Sequence, residues 1–195
     1  MAEPEVPYLT LAGLGAASLL VRRSRFFAYA APAADADEVG ALLADVRARH
    51  HEARHVPYAW IAPDGATRMS DDGEPSGTGG RPCLGALGRH RLRGAAVTVA
   101  RIYGGVQLGA ANLGRAYGEA ASAAVAAAGT VERRPERWVR LTVGYPDLDR
   151  AERALVRAGA RVTERGFADA PTFGAWVPVD ALDGLREALP RATWS

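Results

Sequence analysis

Ser70 to Pro82 reads SDDGEPSGTGGRP. Three carboxylates, Asp71, Asp72 and Glu74, stand within five residues, and glycines and small residues follow as far as Pro82. Local chemistry alone admits three readings. Carboxylates on a flexible loop suit a hard cation such as magnesium or calcium. Glycines at the start of a helix near Pro82, beside Arg81, expose backbone N–H groups that suit an anion. Acids in such a loop also bond their own backbone in Asx turns.

Upstream, residues 50–55 read HHEARH, and from His51 the string satisfies H-E-x-x-H, the zinc-peptidase pattern. That chemistry needs both histidines on one helix, a turn apart. Residues 35–49 (DADEVGALLADVRAR) do predict a helix, with Val39, Leu42, Leu43 and Val46 on one face. Pro57, however, pushes Val56 out of the α region, and 56–61 (VPYAWI) reads as a strand, so His55 falls at or beyond the helix end. We therefore read these histidines as structural. Residues 24–30 predict another strand.

Residues 62–80 read as loop, with a short helix after Pro82 and a strand over 94–103. The next stretch, RIYGGVQLGAANLGRAYGEA, places Gly104, Gly105 and Gly109 outside the dinucleotide spacing G-x-G-x-x-G, so tight turning explains them. Asn112 suits the N-cap of a helix over 113–128 that Gly129 ends, and 130–136 reads as a polar linker. Beyond it, strand, helix, strand, strand and helix alternate, which suggests a small α+β sandwich with helices on one face. The tryptophans Trp60, Trp138, Trp176 and Trp194 are expected in cores or domain contacts. Cys83 is expected to pack as a small apolar residue instead of serving as a helix-end thiolate.

Composition narrows the chemistry. The 195 residues suit one large domain or two small ones, and all 24 basic residues are arginine, with a net charge of +2. Without lysine there is no P-loop lysine, Schiff base or serine–lysine dyad. One cysteine admits no intramolecular disulfide and suits a reducing compartment. The acidic Glu3 and Glu5, and an apolar run from Tyr8 to Val21 broken by Gly13 and Gly15, argue against a leader or a membrane span; the expectation is a cytoplasmic protein.

The acidic glycine run, R-x-Y-G-G-x-x-L-G at 101–109, Ala116–Gly118 in the following helix, Ser24–Phe26, and His50 with His55 occur in the order of the IMPACT/YigZ family, which this chain resembles across residues 20–128. The resemblance implies an α+β fold of two domains. Residues 1–130 would form an IMPACT-type domain similar to domain IV of elongation factor G and to a small-subunit ribosomal protein domain. Residues 131–195 would form a ferredoxin-like one. It implies a non-enzymatic, translation-associated protein whose partner is the ribosome, RNA or a translation-associated protein, without DNA specificity and without membrane. The shared cleft would gather His55, Asp71, Asp72, Gly73, Glu74, Pro75, Gly77, Thr78, Gly80, Arg101, Tyr103, Gly104, Gly105 and Tyr117. Arg133, Arg134, Arg137 and Arg140 would meet phosphate. No cofactor or metal is expected, and no catalytic residue is named. Two other readings stay open: an enzyme of unknown reaction using the 71–74 acids and His55, and a protein-interaction regulator.

Overall fold

The computed structural model describes residues 6–195, so Glu3 and Glu5 lie outside the described residues. The chain divides into two compact units, Tyr8–Arg133 and Arg134–Ser195. The first contains β1 (Tyr8–Leu11), β2 (Gly15–Val21), β3 (Ser24–Pro32), α1 (Ala36–Arg49), β4 (Tyr58–Ile61), β5 (Thr67–Ser70), α2 (Gly80–Arg89), β6 (Ala95–Ile102), α3 (Ala110–Ala128) and β7 (Thr130–Arg133). Five strands form an antiparallel sheet in the order β2-β3-β6-β4-β5.

Side-chain alternation explains how helices come to cover both sheet faces. On β3, Phe26, Ala28 and Ala30 face a core completed by α2 and α3, whereas Phe27 and Tyr29 face α1. On β6, Val97 and Val99 join the first core, and Ala96 and Ala100 join clusters with Val39 and Val46 of α1. Lying between two helical layers, β6 is apolar without a break from Ala95 to Val97 and again from Val99 to Ala100. Its fully buried Thr98 donates to the Pro57 carbonyl at 3.0 Å. Trp60 is buried as expected and donates its indole N–H to the Ala33 carbonyl.

Among the differences from the sequence reading, three have a plain physical reason. Thr67–Ser70, expected as loop, pairs with β4 across a turn at Gly65, but its exposed side chains leave no apolar alternation to detect. Thr130–Arg133, expected as linker, pairs antiparallel with β1. That pairing is made by backbone groups, and every β7 side chain is exposed. Finally, α3 starts at Ala110 behind Gly109, and the Asn112 amide donates back to the Leu108 carbonyl at 3.0 Å, so Asn112 is not its N-cap.

The second unit contains β8 (Glu136–Thr142), α4 (Leu148–Arg157), β9 (Arg161–Phe167), β10 (Pro171–Pro178), α5 (Leu182–Ala188) and β11 (Thr193–Trp194). Its sheet is antiparallel in the order β11-β8-β10-β9. Val139, Leu141, Phe173 and Val177 pack with Ala154, Leu155, Leu182 and Leu185, so α4 and α5 cover one face. Trp194 packs against this core. Trp138 and Trp176 do not: they pair directly across β8 and β10 on the other face, where both remain more than one-third exposed.

Close approach of β2 to α3 depends on Gly15. A Cβ there would lie 2.2 Å from the Ala124 carbonyl oxygen and 2.3 Å from the Ala128 nitrogen, both backbone atoms that cannot step aside. Gly15→Ala is therefore expected to destabilise the protein by about 3 kcal/mol. Gly13→Ala, where nothing lies within 4 Å, should leave the urea midpoint nearly unchanged.

Candidate functional site

The loop joining β5 to α2 assigns a separate task to each acid. Asp71 accepts N–H bonds from Gly77 (2.8 Å), Gly79 (2.9 Å) and Gly80 (2.8 Å), so its carboxylate fills the helix N-terminus that the glycine run creates. The anion for that cradle is the chain's own. Burial alone would raise the Asp71 pKa, but these three donors outweigh it and hold the group below the ordinary carboxylate value. The loop owes its path to Asp72, Gly73 and Gly77, all at positive φ, and to Gly80, whose missing Cβ admits the Ser70 backbone. Thr78 is buried and donates to the Pro75 carbonyl.

Asp72 turns the other way. Its carboxylate accepts the Val56 N–H at 2.7 Å and pairs with Arg47 at 2.9 Å. Its carbonyl lies 2.7 Å from His55 Nδ1, and a carbonyl only accepts, so Nδ1 carries the proton. His55 is bridged to Arg101 through backbone, while α1 has already ended at Arg49. The H-E-x-x-H string therefore spans a helix end and a bridge, not a zinc-binding helix. His50 stacks on Phe27 at 4.4 Å and bonds the Tyr29 hydroxyl at 2.8 Å; burial and the nearby Arg49 and Arg25 hold its pKa below the ordinary value.

Glu74 points inward and is buried. One carboxylate oxygen accepts from Arg101 Nη1 at 2.8 Å and from the Tyr117 hydroxyl at 2.7 Å. Burial first, then the Glu74 charge, pushes the Tyr117 phenol far above its usual range, which keeps it a donor. Phe26 meets Tyr117 edge-on at 5.1 Å, and the Arg101 guanidinium lies within 5.7 Å of the Phe26 and 5.5 Å of the Tyr103 ring centres. The three carboxylates thus do not converge as a cation site. Cys83 is fully buried in the same core, and burial pushes its thiol up to about 12, as a packed apolar residue requires.

Beside this network lies an open cleft of about 800 Å³, lined by Glu52, Arg54, His55, Glu74, Pro75, Arg101, Ile102, Tyr103, Gln107, Leu108, Gly109, Ala110 and Leu113. Of the residues expected there, His55, Glu74, Pro75, Arg101 and Tyr103 line it. Tyr117 lies buried behind Glu74. Asp71, Asp72, Gly73, Gly77, Thr78 and Gly80 shape the loop instead. Gly104 allows close approach to the Arg23 carbonyl, and Gly105 turns the chain at a φ of +84°. Sequence reasoning misses Glu52, Arg54 and the 107–110 segment, whose only signal is a position after a double glycine. Arg133, Arg134, Arg137 and Arg140 lie outside the cleft lining; Arg134 pairs with Asp180 and Arg140 with Glu164, each at 2.8 Å.

The Impact N-terminal domain matches residues 22–125, more than half the chain. The chain belongs to the IMPACT family. A Bacillus subtilis (strain 168) IMPACT family member, YvyE, is 28% identical over 188 residues, covering 95% of this chain and 87% of the relative. The Escherichia coli (strain K12) member YigZ is 33% identical, covering 88% and 80%, and a Thermus thermophilus member is 41% identical, covering 76% and 80%. A crystal structure of an hypothetical protein, 25% identical, superposes with a TM-score of 0.71 over 97% of this IMPACT-family chain and 96% of its own. No described helix is long and apolar enough to cross a membrane.

Two substitutions separate the roles of the acids. Asp71→Asn replaces a charged acceptor of three N–H groups and is expected to cost about 2–3 kcal/mol near neutral pH. Because the native Asp71 pKa is lowered, its contribution is complete above the unfolded carboxylate value and is lost as pH falls through the native one. The difference from wild type in chemical denaturation should therefore shrink below about pH 4. Tyr117→Phe removes one of two donors to buried Glu74 and should cost about 1–3 kcal/mol by the same measurement.

Proposed function

We propose that this chain is a cytoplasmic, non-enzymatic, translation-associated regulator that binds RNA, the ribosome or a translation factor. The observation that carries the reading is the internal neutralisation of Glu74 by Arg101 and Tyr117. A buried carboxylate held by two donors is poised as a fixed wall of a recognition cleft, and a general acid or base needs a proton path to substrate that this pairing occupies. Asp71 and Asp72, the other acids an enzymatic reading would use, are engaged by α2 and by Val56 and Arg47.

Fold analogy points the same way. We read Arg134–Ser195 as ferredoxin-like, supported by its βαββαβ element order and by the insertion of β10 between β8 and β9. The first unit, read as similar to domain IV of elongation factor G and to a small-subunit ribosomal protein domain, belongs to the same proposal. Arg133, Arg134, Arg137 and Arg140 supply phosphate contacts, which their exposure on β7, β8 and the segment between them supports.

Co-sedimentation with purified ribosomes and structured RNA across a salt series tests this. Binding should weaken steeply with salt. Replacing Arg133, Arg134 and Arg137 by alanine should flatten the log–log slope by about one unit for each phosphate that is no longer neutralised. Absence of binding at low salt would end the RNA and ribosome readings.

A further inference from the structure

One hairpin turn of the first unit carries residues poorly suited to it. Val21 pairs with Ser24, so β2 and β3 are joined by two residues alone, Arg22 and Arg23, and both have positive φ, +44° and +70°. Two left-handed residues in a two-residue loop make a type I′ turn, which asparagine followed by glycine adopts at least cost. An arginine Cβ crowds the backbone at both places. The surroundings nevertheless hold the arginines there. Ser24 is fully buried, its hydroxyl accepts the Gly104 N–H at 3.4 Å, and only the missing Cβ of Gly104 lets the Arg23 carbonyl approach. Strained backbone kept in place by its neighbours concentrates at functional positions.

Charge is the second observation. Arg22 and Arg23 are exposed, and among the described residues neither makes an ion pair. The 102–104 segment links them to two more exposed arginines. Arg23 meets Gly104, Arg25 lies opposite Ile102 in the sheet, and Arg54 lines the cleft with Ile102 and Tyr103. Glu52 reaches Arg25 at 3.9 Å, but both side chains are more than half exposed, so the pair is weak. Deeper in the cleft, Glu74 is neutralised by Arg101.

Such a surface fits a polyanion. Guanidinium groups grip phosphate through paired N–H donors. Arg22 and Arg23 present charge at a turn and do not line the cleft, which suits phosphates that repeat along a backbone and are bound regardless of sequence. A peptide or a lipid surface would need apolar anchors, and beside the turn exposed Leu20, opposite Arg25, stands alone in that role.

We propose that the tip of the β2–β3 hairpin is a phosphate-binding finger for structured RNA, with Arg22 and Arg23 on neighbouring phosphates and Arg25 and Arg54 continuing the contact toward Tyr103. This names a site for the RNA reading above and rests on it. The finger is distinct from Arg133, Arg134, Arg137 and Arg140 on and around β7 and β8.

The test measures binding of a labelled RNA stem-loop to the full chain by fluorescence anisotropy across a salt series, with phosphatidylserine vesicles and a polyglutamate peptide as parallel arms. Arg22→Asn combined with Arg23→Gly gives the turn its preferred residues, so the melting temperature should hold or rise and lost binding cannot be lost folding. RNA affinity should fall at least tenfold at low salt, and the log–log salt slope should flatten by about one to two units for two phosphates no longer neutralised. Arg22→Lys combined with Arg23→Lys keeps the charge and should keep most of the slope; an equal flattening there would overturn the finger. If the first double variant binds RNA as tightly as wild type, the finger is refuted while the RNA reading survives on Arg133, Arg134, Arg137 and Arg140. If wild type binds no RNA at low salt, the finger and the RNA reading fall together, whatever the vesicles and the peptide do.

Discussion

A buried carboxylate must be paired, and Glu74 finds its partners on two elements distant in sequence: Arg101 at the end of β6 and Tyr117 within α3. Removing one partner from a buried ion pair costs about 3–5 kcal/mol, because the remaining charge cannot recover its water. The loop carrying Glu74, the sheet and the long helix are therefore held in one arrangement, and the cleft walls are set with them. Phe26 extends the constraint, meeting both Tyr117 and Arg101 from β3.

The same kind of internal pairing engages every acid of the loop. Asp71 is absorbed by three N–H groups of the following turn and helix, Asp72 by Val56 and Arg47, and Glu74 by the interior. The exposed side chains of the cleft lining are Glu52, Arg54, Pro75, Tyr103, Gln107 and Ala110, a mixed polar and apolar surface. The Impact N-terminal domain match places this constellation within a family, and the crystal structure that superposes over nearly the whole chain shares its fold.

Elements with strong periodic or punctuating signals are legible in the sequence. Residues Ala36–Arg49 form the expected helix because Asp35 accepts the Asp37 and Glu38 N–H groups and Val39 and Val46 face inward. Elements made by backbone pairing alone are not: β5 and β7 expose their side chains, so nothing in residue type announces them. The start of α3 is misread because Asn112 has the right side chain for a cap but bonds the preceding turn, and Gly109 takes the N-cap without a side-chain signal. Tryptophan is usually well buried, which is why Trp138 and Trp176 are expected in a core or a domain contact; the alternation of β8 and β10 puts them on the face that α4 and α5 do not cover.

By itself the sequence determined local matters: Pro57 denied the H-E-x-x-H string its helix, the absence of lysine removed whole reaction classes, and the glycines set where the chain turns. Those outcomes follow from backbone sterics and residue chemistry, which act between neighbours. Tertiary structure alone decided which acid bonds which donor, that Tyr117 lies behind the cleft while Tyr103 borders it, and that the Arg101 Nε is enclosed without a hydrogen-bond partner among the described residues. Each depends on groups brought together from positions such as 74, 101 and 117. Hydrogen bonds and burial are decided by distance in space, and across such separations only the completed sheet and its helices set that distance.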